Sequence, residues 1–71
     1  MTNKALLEDA IQKSGLKKKH IAEQIGLSRV GFNNCLNNRA EFKASHIHAL
    51  CQLLDIKPEQ REAIFFASFG V

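Results

Sequence analysis

Residues 18–37 read KKHIAEQIGLSRVGFNNCLN, and the spacing within this stretch predicts two short helices joined by a tight turn. Ile21, Ala22 and Ile25 lie on one face of the first helix. Ala22 is small, and helices that cross near a right angle approach closely only over a small side chain. Gly26 ends the helix, since glycine adopts a left-handed backbone without strain from a Cβ atom. These positions predict a helix-turn-helix arrangement.

The second helix of this stretch is predicted to begin after Ser28, whose hydroxyl can accept a hydrogen bond from a free N–H group of the first turn. Its apolar positions are predicted to anchor it to the core: Phe32, Cys35 and Leu36. The remaining positions are then free to point outward: Arg29, Val30, Asn33, Asn34 and Asn37. The helix is therefore expected to present a polar, arginine-led face.

Helical periodicity also dominates the rest of the chain, and no alternating strand pattern persists. Asn3 is a suitable N-cap for a first helix, Gly15 is its C-terminal stop, and Pro58 suits the first turn of a last helix. The 71 residues leave room for one core. We therefore predict a single all-α domain over residues 1–71, with a helix-turn-helix and five helices at about 4–14, 18–25, 29–37, 44–54 and 58–68.

Charge is distributed unevenly along the chain, whose net charge is +3 and whose isoelectric point is about 9.1. Residues 12–43 contain seven basic residues against Glu23 and Glu41, whereas the two ends together contain three basic and five acidic residues. One basic side on a small domain is the electrostatic pattern expected of a protein that binds a polyanion. The alternative is a solvated lysine face, which charge alone does not exclude.

The run from Ile21 to Arg29, IAEQIGLSR, resembles the core of the phage-repressor/Cro helix-turn-helix family, also called the XRE-type family. The resemblance continues through Asn37-Asn38-Arg39 and the predicted fourth helix, and it covers about residues 6–56 without a gap. The chain departs from the family pattern at three positions. Lys17 stands where a Ser or Thr cap is usual, Asn38 where glycine is common, and Phe42 where proline is common.

The resemblance implies that the third helix enters the major groove of DNA and that its first turn contacts base edges. It implies four base-reading residues: Arg29, Val30, Asn33 and Asn34. Arginine pairs with guanine, asparagine with adenine, and valine packs on a thymine methyl group. The candidates for phosphate contact, which positions a protein without specifying sequence, are Lys18, Lys19, Ser28, Asn37, Arg39 and Lys43.

The C-terminal segment is more apolar than one face of a terminal helix requires. One stripe can close the core, and the other would be exposed in a monomer. We therefore expect the last helix, 58–68, to form a homodimer interface through Ile64, Phe65, Phe66 and Phe69. The alternative is that both stripes pack into the domain.

Other classes of function find little support in the sequence. His46 and His48 lie on different sides of their predicted helix, and Cys35 and Cys51 occupy core positions, so no metal site is expected. We also expect no catalytic residues, no cofactor and no small-molecule ligand. No apolar stretch approaches a membrane span, and the polar start is not a signal peptide, so a cytoplasmic location, nucleoid-associated when bound to DNA, is expected.

The sequence therefore predicts a transcriptional regulator of the Cro/repressor type, of phage or prophage kind, that binds a pseudo-palindromic duplex DNA operator as a homodimer. The polar start and the aromatic end favour a complete protein over a fragment of a longer repressor. The alternative function is a protein-interaction module with the same fold, such as an antitoxin or antirepressor without specific DNA binding.

Overall fold

A computed structural model describes residues 1–66 of the chain, and within this range it contains five α-helices and no strand. They are α1 (Lys4–Ser14), α2 (Lys18–Ile25), α3 (Arg29–Leu36), α4 (Ala44–Leu53) and α5 (Pro58–Phe65). The predicted all-α class is thus confirmed, and α1 and α2 have the predicted bounds. Helices α3 and α4 end one residue early, and α5 ends at Phe65, whereas the prediction ran to residue 68. Residues 67 and 68 lie outside the described range.

Local capping explains several of the helix ends. The Asn3 Oδ1 accepts a hydrogen bond from the Leu6 N–H at 3.2 Å, and the Ser28 Oγ accepts one from the Gly31 N–H at 3.0 Å. Gly15 and Gly26 adopt φ angles of 73° and 84°, which allow the chain to leave α1 and α2 sharply. Lys17, by contrast, makes no side-chain capping bond, so α2 begins without the bond that a serine or threonine would supply.

Two non-glycine residues also adopt left-handed backbone after a helix. Asn38 has a φ of 61°, as its position in place of a common glycine predicts. Asp55 has a φ of 54° after α4 and was not expected to do so. Asparagine and aspartate tolerate this conformation better than other side chains, because their short polar groups can bond locally.

The core forms where α2 packs against α3 and α4, while α1 packs against α5. Ala22 is 1% exposed at the centre of this packing, as expected for a close approach of two helices. The three predicted anchors of α3 are buried: Phe32, Cys35 and Leu36. The helix-turn-helix is therefore attached to the rest of the protein by one apolar face.

Phe42, the residue that replaces a common proline of the family, is a core residue that the sequence pattern does not reveal. It is 8% exposed and lies in the segment between α3 and α4. Its ring centroid is 5.9 Å from that of Phe32 and 5.7 Å from that of Phe65, the latter pair in an edge-to-face arrangement. Three phenylalanine rings thus connect α3, the α3–α4 segment and α5.

Part of the predicted dimer interface, Ile64 and Phe65, is buried in this core. Ile64 and Phe65 are each 4% exposed, because α5 turns this face toward the protomer's own apolar residues. The expectation that they present an interface surface is therefore corrected: they close the core instead. Phe66 is 53% exposed, and Phe69 lies outside the described residues. Of the predicted interface residues within 1–66, Phe66 is the one that remains exposed.

Candidate nucleic-acid interface

The turn between α2 and α3 sets the direction of the third helix. The Gly26 N–H donates to the Glu23 carbonyl at 3.2 Å, and the Leu27 N–H donates to the Ala22 carbonyl at 2.9 Å. Such a pair of bonds at a left-handed residue is typical of a Schellman C-cap. The half-buried Leu27 packs against the core, and Ser28 then caps α3. The orientation of α3 is thus held by backbone bonds and by one apolar contact.

Helix α3 has a buried face and an exposed face, and the predicted base-reading residues divide between the exposed face and its edge. Arg29 and Asn33 are exposed, and Val30 is 71% exposed. Asn34 is half-buried. In residues 1–66 no carboxylate lies within 4 Å of the Arg29 guanidinium, so its charge is not neutralised there.

Asn34 contributes to the local structure through its backbone. Its carbonyl accepts hydrogen bonds from the Arg39 N–H at 2.9 Å and from the Ala40 N–H at 3.4 Å. These bonds close the turn that follows α3. The side chain lies at the edge of the exposed face, so it is less accessible than that of Asn33.

Asn37, a predicted phosphate contact, is half-buried and already bonded within the chain. Its Nδ2 donates to the Asn33 carbonyl at 2.9 Å, and its Oδ1 accepts from the Nζ of Lys4 at 2.6 Å. Lys4 belongs to α1 and was not among the predicted site residues. Because it lies 33 residues away in sequence, no local pattern could have placed it beside α3.

The predicted lysine contacts also differ from one another. The Nζ of Lys18 lies 2.9 Å and 3.1 Å from the two carboxylate oxygens of Glu8, so it would have to exchange this partner for a phosphate. Lys19, Arg39 and Lys43 are exposed. Ser28 is exposed as well, and its hydroxyl oxygen already accepts the capping bond.

The helix N-termini add to the positive character of the described surface. No acidic residue occurs in the first turn of α1, α2, α3 or α4, whereas α5 has Glu59 there. The N-terminal end of a helix carries a partial positive charge that an acidic side chain normally offsets. In these four helices no acidic side chain of the first turn offsets this charge.

The cysteines and histidines show no sign of a reactive site. Burial raises the pKa of both the Cys35 and the Cys51 thiols, which keeps them protonated, although Arg61 partly opposes the effect at Cys51. The His46 Nδ1 accepts from the Lys43 N–H at 3.3 Å and so helps to cap α4. Within residues 1–66, no three potential ligand side chains are grouped as a metal would require.

One concavity in the described part of the chain lies away from α2 and α3. It is an open groove of about 660 Å³ lined by α1, α5 and the segment after α4, and no residue of α2 or α3 contributes to it.

Within residues 1–66, no helix has both the length and the apolar character that crossing a membrane demands.

Comparison with known protein families yields a match over most of the chain. The family model of the Cro/C1-type HTH DNA-binding domain matches residues 7–60, which is most of the chain. The matched span includes the whole of α2, α3 and α4, with the turn at Gly26. No curated protein and no solved structure matches the chain.

Proposed function

The chain belongs to the Cro/C1-type helix-turn-helix DNA-binding family, and on that premise we propose that it is a transcriptional regulator that recognises a specific duplex DNA sequence. This family is one of DNA-binding proteins and not of enzymes, so the chain is not an enzyme. The observation that carries the proposal is the outer face of α3. Arg29, Val30 and Asn33 are exposed there, while the opposite face is anchored in the core.

The exposed side chains of α3 have the chemistry needed to read base edges in the major groove. The Arg29 guanidinium can donate two hydrogen bonds to guanine, and the Asn33 amide can pair with adenine in the same bidentate manner. The exposed Val30 side chain suits a thymine methyl group. Asn34 is half-buried, and we assign it a secondary role at the edge of this surface.

Contacts to the phosphate backbone would come from the exposed cations that flank α3. Lys19, Arg39 and Lys43 are open to solvent, and Lys18 can join them by releasing Glu8. Such contacts position a protein on the duplex and supply most of its non-specific affinity. They would make binding strongly dependent on salt concentration.

We further propose that the protein acts in the cytoplasm as a homodimeric repressor on a pseudo-palindromic operator. The exposed Phe66 at the end of α5 supports the dimer, because a large apolar side chain in water is stabilised by burial against a second copy. Two-fold symmetry would place the two α3 helices in successive major grooves, with half-sites about 34–36 Å apart.

Selection of bound sites from random duplex DNA tests the proposal. We expect enrichment of one inverted repeat whose half-sites are about one helical turn apart. Enrichment of a single unrepeated half-site would retain specific recognition and contradict the dimer. Binding without any enriched sequence, or no binding at low salt, would contradict the proposal and favour a protein-interaction module such as an antitoxin or antirepressor.

A further inference from the structure

Lys4 brings a positive charge from α1 to the end of α3. Its Nζ lies 2.6 Å from the Oδ1 of Asn37, the residue that follows the last turn of α3. Arg29, Asn33 and Asn37 occur four residues apart and therefore follow one side of the helix. The ammonium group of Lys4 thus extends this row beyond the helix end.

The amide of Asn37 is held in the orientation that receives Lys4. Its Nδ2 donates to the Asn33 carbonyl at 2.9 Å, which turns the Oδ1 away from the helix and toward Lys4. The amide oxygen is neutral, so it fixes the position of the ammonium group without cancelling its charge. Asn37 therefore acts on Lys4 as a positioning residue.

The backbone that precedes Lys4 is also anchored beside α3. The Thr2 N–H donates to the Asn38 Oδ1, and the Asn38 Nδ2 donates to the Thr2 carbonyl, both at 2.9 Å. Thr2 is only 7% exposed, and the Asn3 N–H donates to the Ile64 carbonyl at 2.6 Å. Because this segment is already ordered, Lys4 would lose little conformational freedom on binding a ligand.

Lys4 differs from Lys13 of α1 and Lys18 of α2 in that no carboxylate is paired with it in the described range. Lys13 lies 2.9 Å from Asp9, and Lys18 lies 2.9 Å from Glu8. No carboxylate in residues 1–66 lies within 4 Å of the Lys4 Nζ. Lys4 is therefore a positioned cation whose charge is not neutralised by a neighbouring acid.

Local helix electrostatics do not account for a lysine at this position of α1. Lys4 is the first residue of the helix, where the partial positive charge of the helix end disfavours a cation and favours an acidic residue. At the other end of its side chain, however, it meets the C-terminal end of α3, which has no basic residue in its last turn. The tertiary contact, rather than α1 itself, stabilises the charge.

We propose that Lys4, held in place by Asn37, binds a backbone phosphate of the duplex that α3 enters, and that Asn37 positions this lysine instead of contacting DNA itself. This inference rests on the proposed function, since it adds a contact to the same DNA-binding surface. The contact recognises the phosphodiester and carries no sequence preference of its own.

The test compares the salt dependence of DNA affinity for the full chain and for Lys4→Ala on one selected duplex. Loss of one phosphate contact should lower the slope of log affinity against log salt by about 0.9. Between about 50 and 200 mM salt, the unsubstituted protein should therefore lose about 3.5-fold more affinity than the variant. The loss should be similar on selected and unrelated duplexes. Lys13→Ala is the matched control, because Lys13 lies on the same helix and is paired with Asp9.

A double-mutant cycle tests the role of Asn37. Asn37→Ala should weaken binding in the unsubstituted protein and have little further effect when Lys4 is already alanine. Lys4→Arg should retain the salt slope, because it preserves the charge. Additive effects of the two substitutions would contradict the positioning role and assign Asn37 a phosphate contact of its own.

The outcomes separate this inference from the proposed function. If the unsubstituted protein binds a selected duplex and Lys4→Ala retains the same salt slope, Lys4 is only a partner of the α3 C-terminus, and the inference is wrong. If the unsubstituted protein binds no DNA, the proposed function is wrong and the inference fails with it. Thermal denaturation of each variant identifies any loss of affinity that results from unfolding.

Discussion

Gly26 shows how a single backbone position controls the orientation of the candidate recognition helix. Its φ of 84° lies in the left-handed region, and beyond Gly26 and its two chain neighbours no atom lies within 4 Å of the place that a Cβ would occupy. Any cost of a larger residue there therefore arises from backbone strain and not from a collision. Gly15 has the same character, with a φ of 73° and open space around it.

We expect Gly26→Ala to lower the free energy of unfolding by about 1–2 kcal/mol, which is the cost of left-handed backbone for an L-residue. Urea denaturation followed by circular dichroism measures the change. Gly15→Ala is the matched control and should cost a similar amount, while Gly26→Asn should cost less because asparagine tolerates this conformation. Unchanged stability of Gly26→Ala would show that the turn does not depend on the left-handed residue.

Arg29 is the residue for which the structure offers the clearest prediction on base recognition. It is exposed at the start of α3, and no carboxylate in the described range neutralises it. Arg29→Ala should weaken binding to the selected duplex by about 1–3 kcal/mol and relax specificity at one base position. Titration against duplexes altered one base pair at a time measures both effects. An equal loss on every duplex would instead assign Arg29 a phosphate contact.

At the scale of the elements, the three phenylalanine rings decide how α3 and α5 are joined. Phe42 lies between Phe32 and Phe65, with centroid distances of 5.9 and 5.7 Å. Aromatic pairs at such distances add about 0.5–1.5 kcal/mol each beyond the area that they bury. A proline at this position could not fill the same space, so the departure from the family pattern has a structural role here.

We expect Phe42→Ala to lower the free energy of unfolding by about 3–5 kcal/mol, since truncation leaves a cavity between α3 and α5. This is a large share of the roughly 5–15 kcal/mol available to a typical domain. Phe66→Ala is the control: Phe66 is 53% exposed, so removal of its ring should change the stability of the protomer far less. Chemical denaturation at low protein concentration distinguishes the two. Equal effects would contradict the placement of Phe42 in the core.

At the scale of the whole molecule, the described residues form two surfaces that differ in charge. The surface that includes α3 contains Arg29, and the exposed Lys19, Arg39 and Lys43 lie close to α3 in the chain. The groove formed by α1 and α5 is lined by Asp9, Asp55 and Glu59 together with Lys13. The proposed DNA contact would favour the first surface over the second. A single protomer of this size offers few contacts to the duplex, so a second copy would raise both affinity and specificity.

The oligomeric state can be predicted at this scale. The full chain should sediment as a dimer at micromolar concentration. Phe66→Asp should shift it to a monomer, because a carboxylate in place of the exposed ring opposes burial of this position against a second copy. Analytical ultracentrifugation measures the shift. Leu6→Asp is the control, since Leu6 is also a large exposed apolar residue, at 41%, but lies in the groove. A monomer at every concentration would contradict the proposed dimer.

The sequence by itself determined the features that depend on neighbours within about four residues. The bounds of α1 and α2, the caps at Asn3 and Ser28, and the left-handed Gly26 and Asn38 follow from such local preferences. The apolar face of α3 follows as well, because helical periodicity places its buried residues three and four positions apart. These features were enough to predict the fold class and the exposed face of α3 on which the proposed function rests.

Only the tertiary structure decided which distant residues meet. It placed Phe42 in the core, turned Ile64 and Phe65 inward, paired Lys18 with Glu8 and brought Lys4 to Asn37. The last pair lies 33 residues apart, and such a contact exists only after α1 and α3 have docked. Helical periodicity predicts whether a residue lies on the buried or the exposed face of its own helix. The packing of the helices determines which distant residue it contacts.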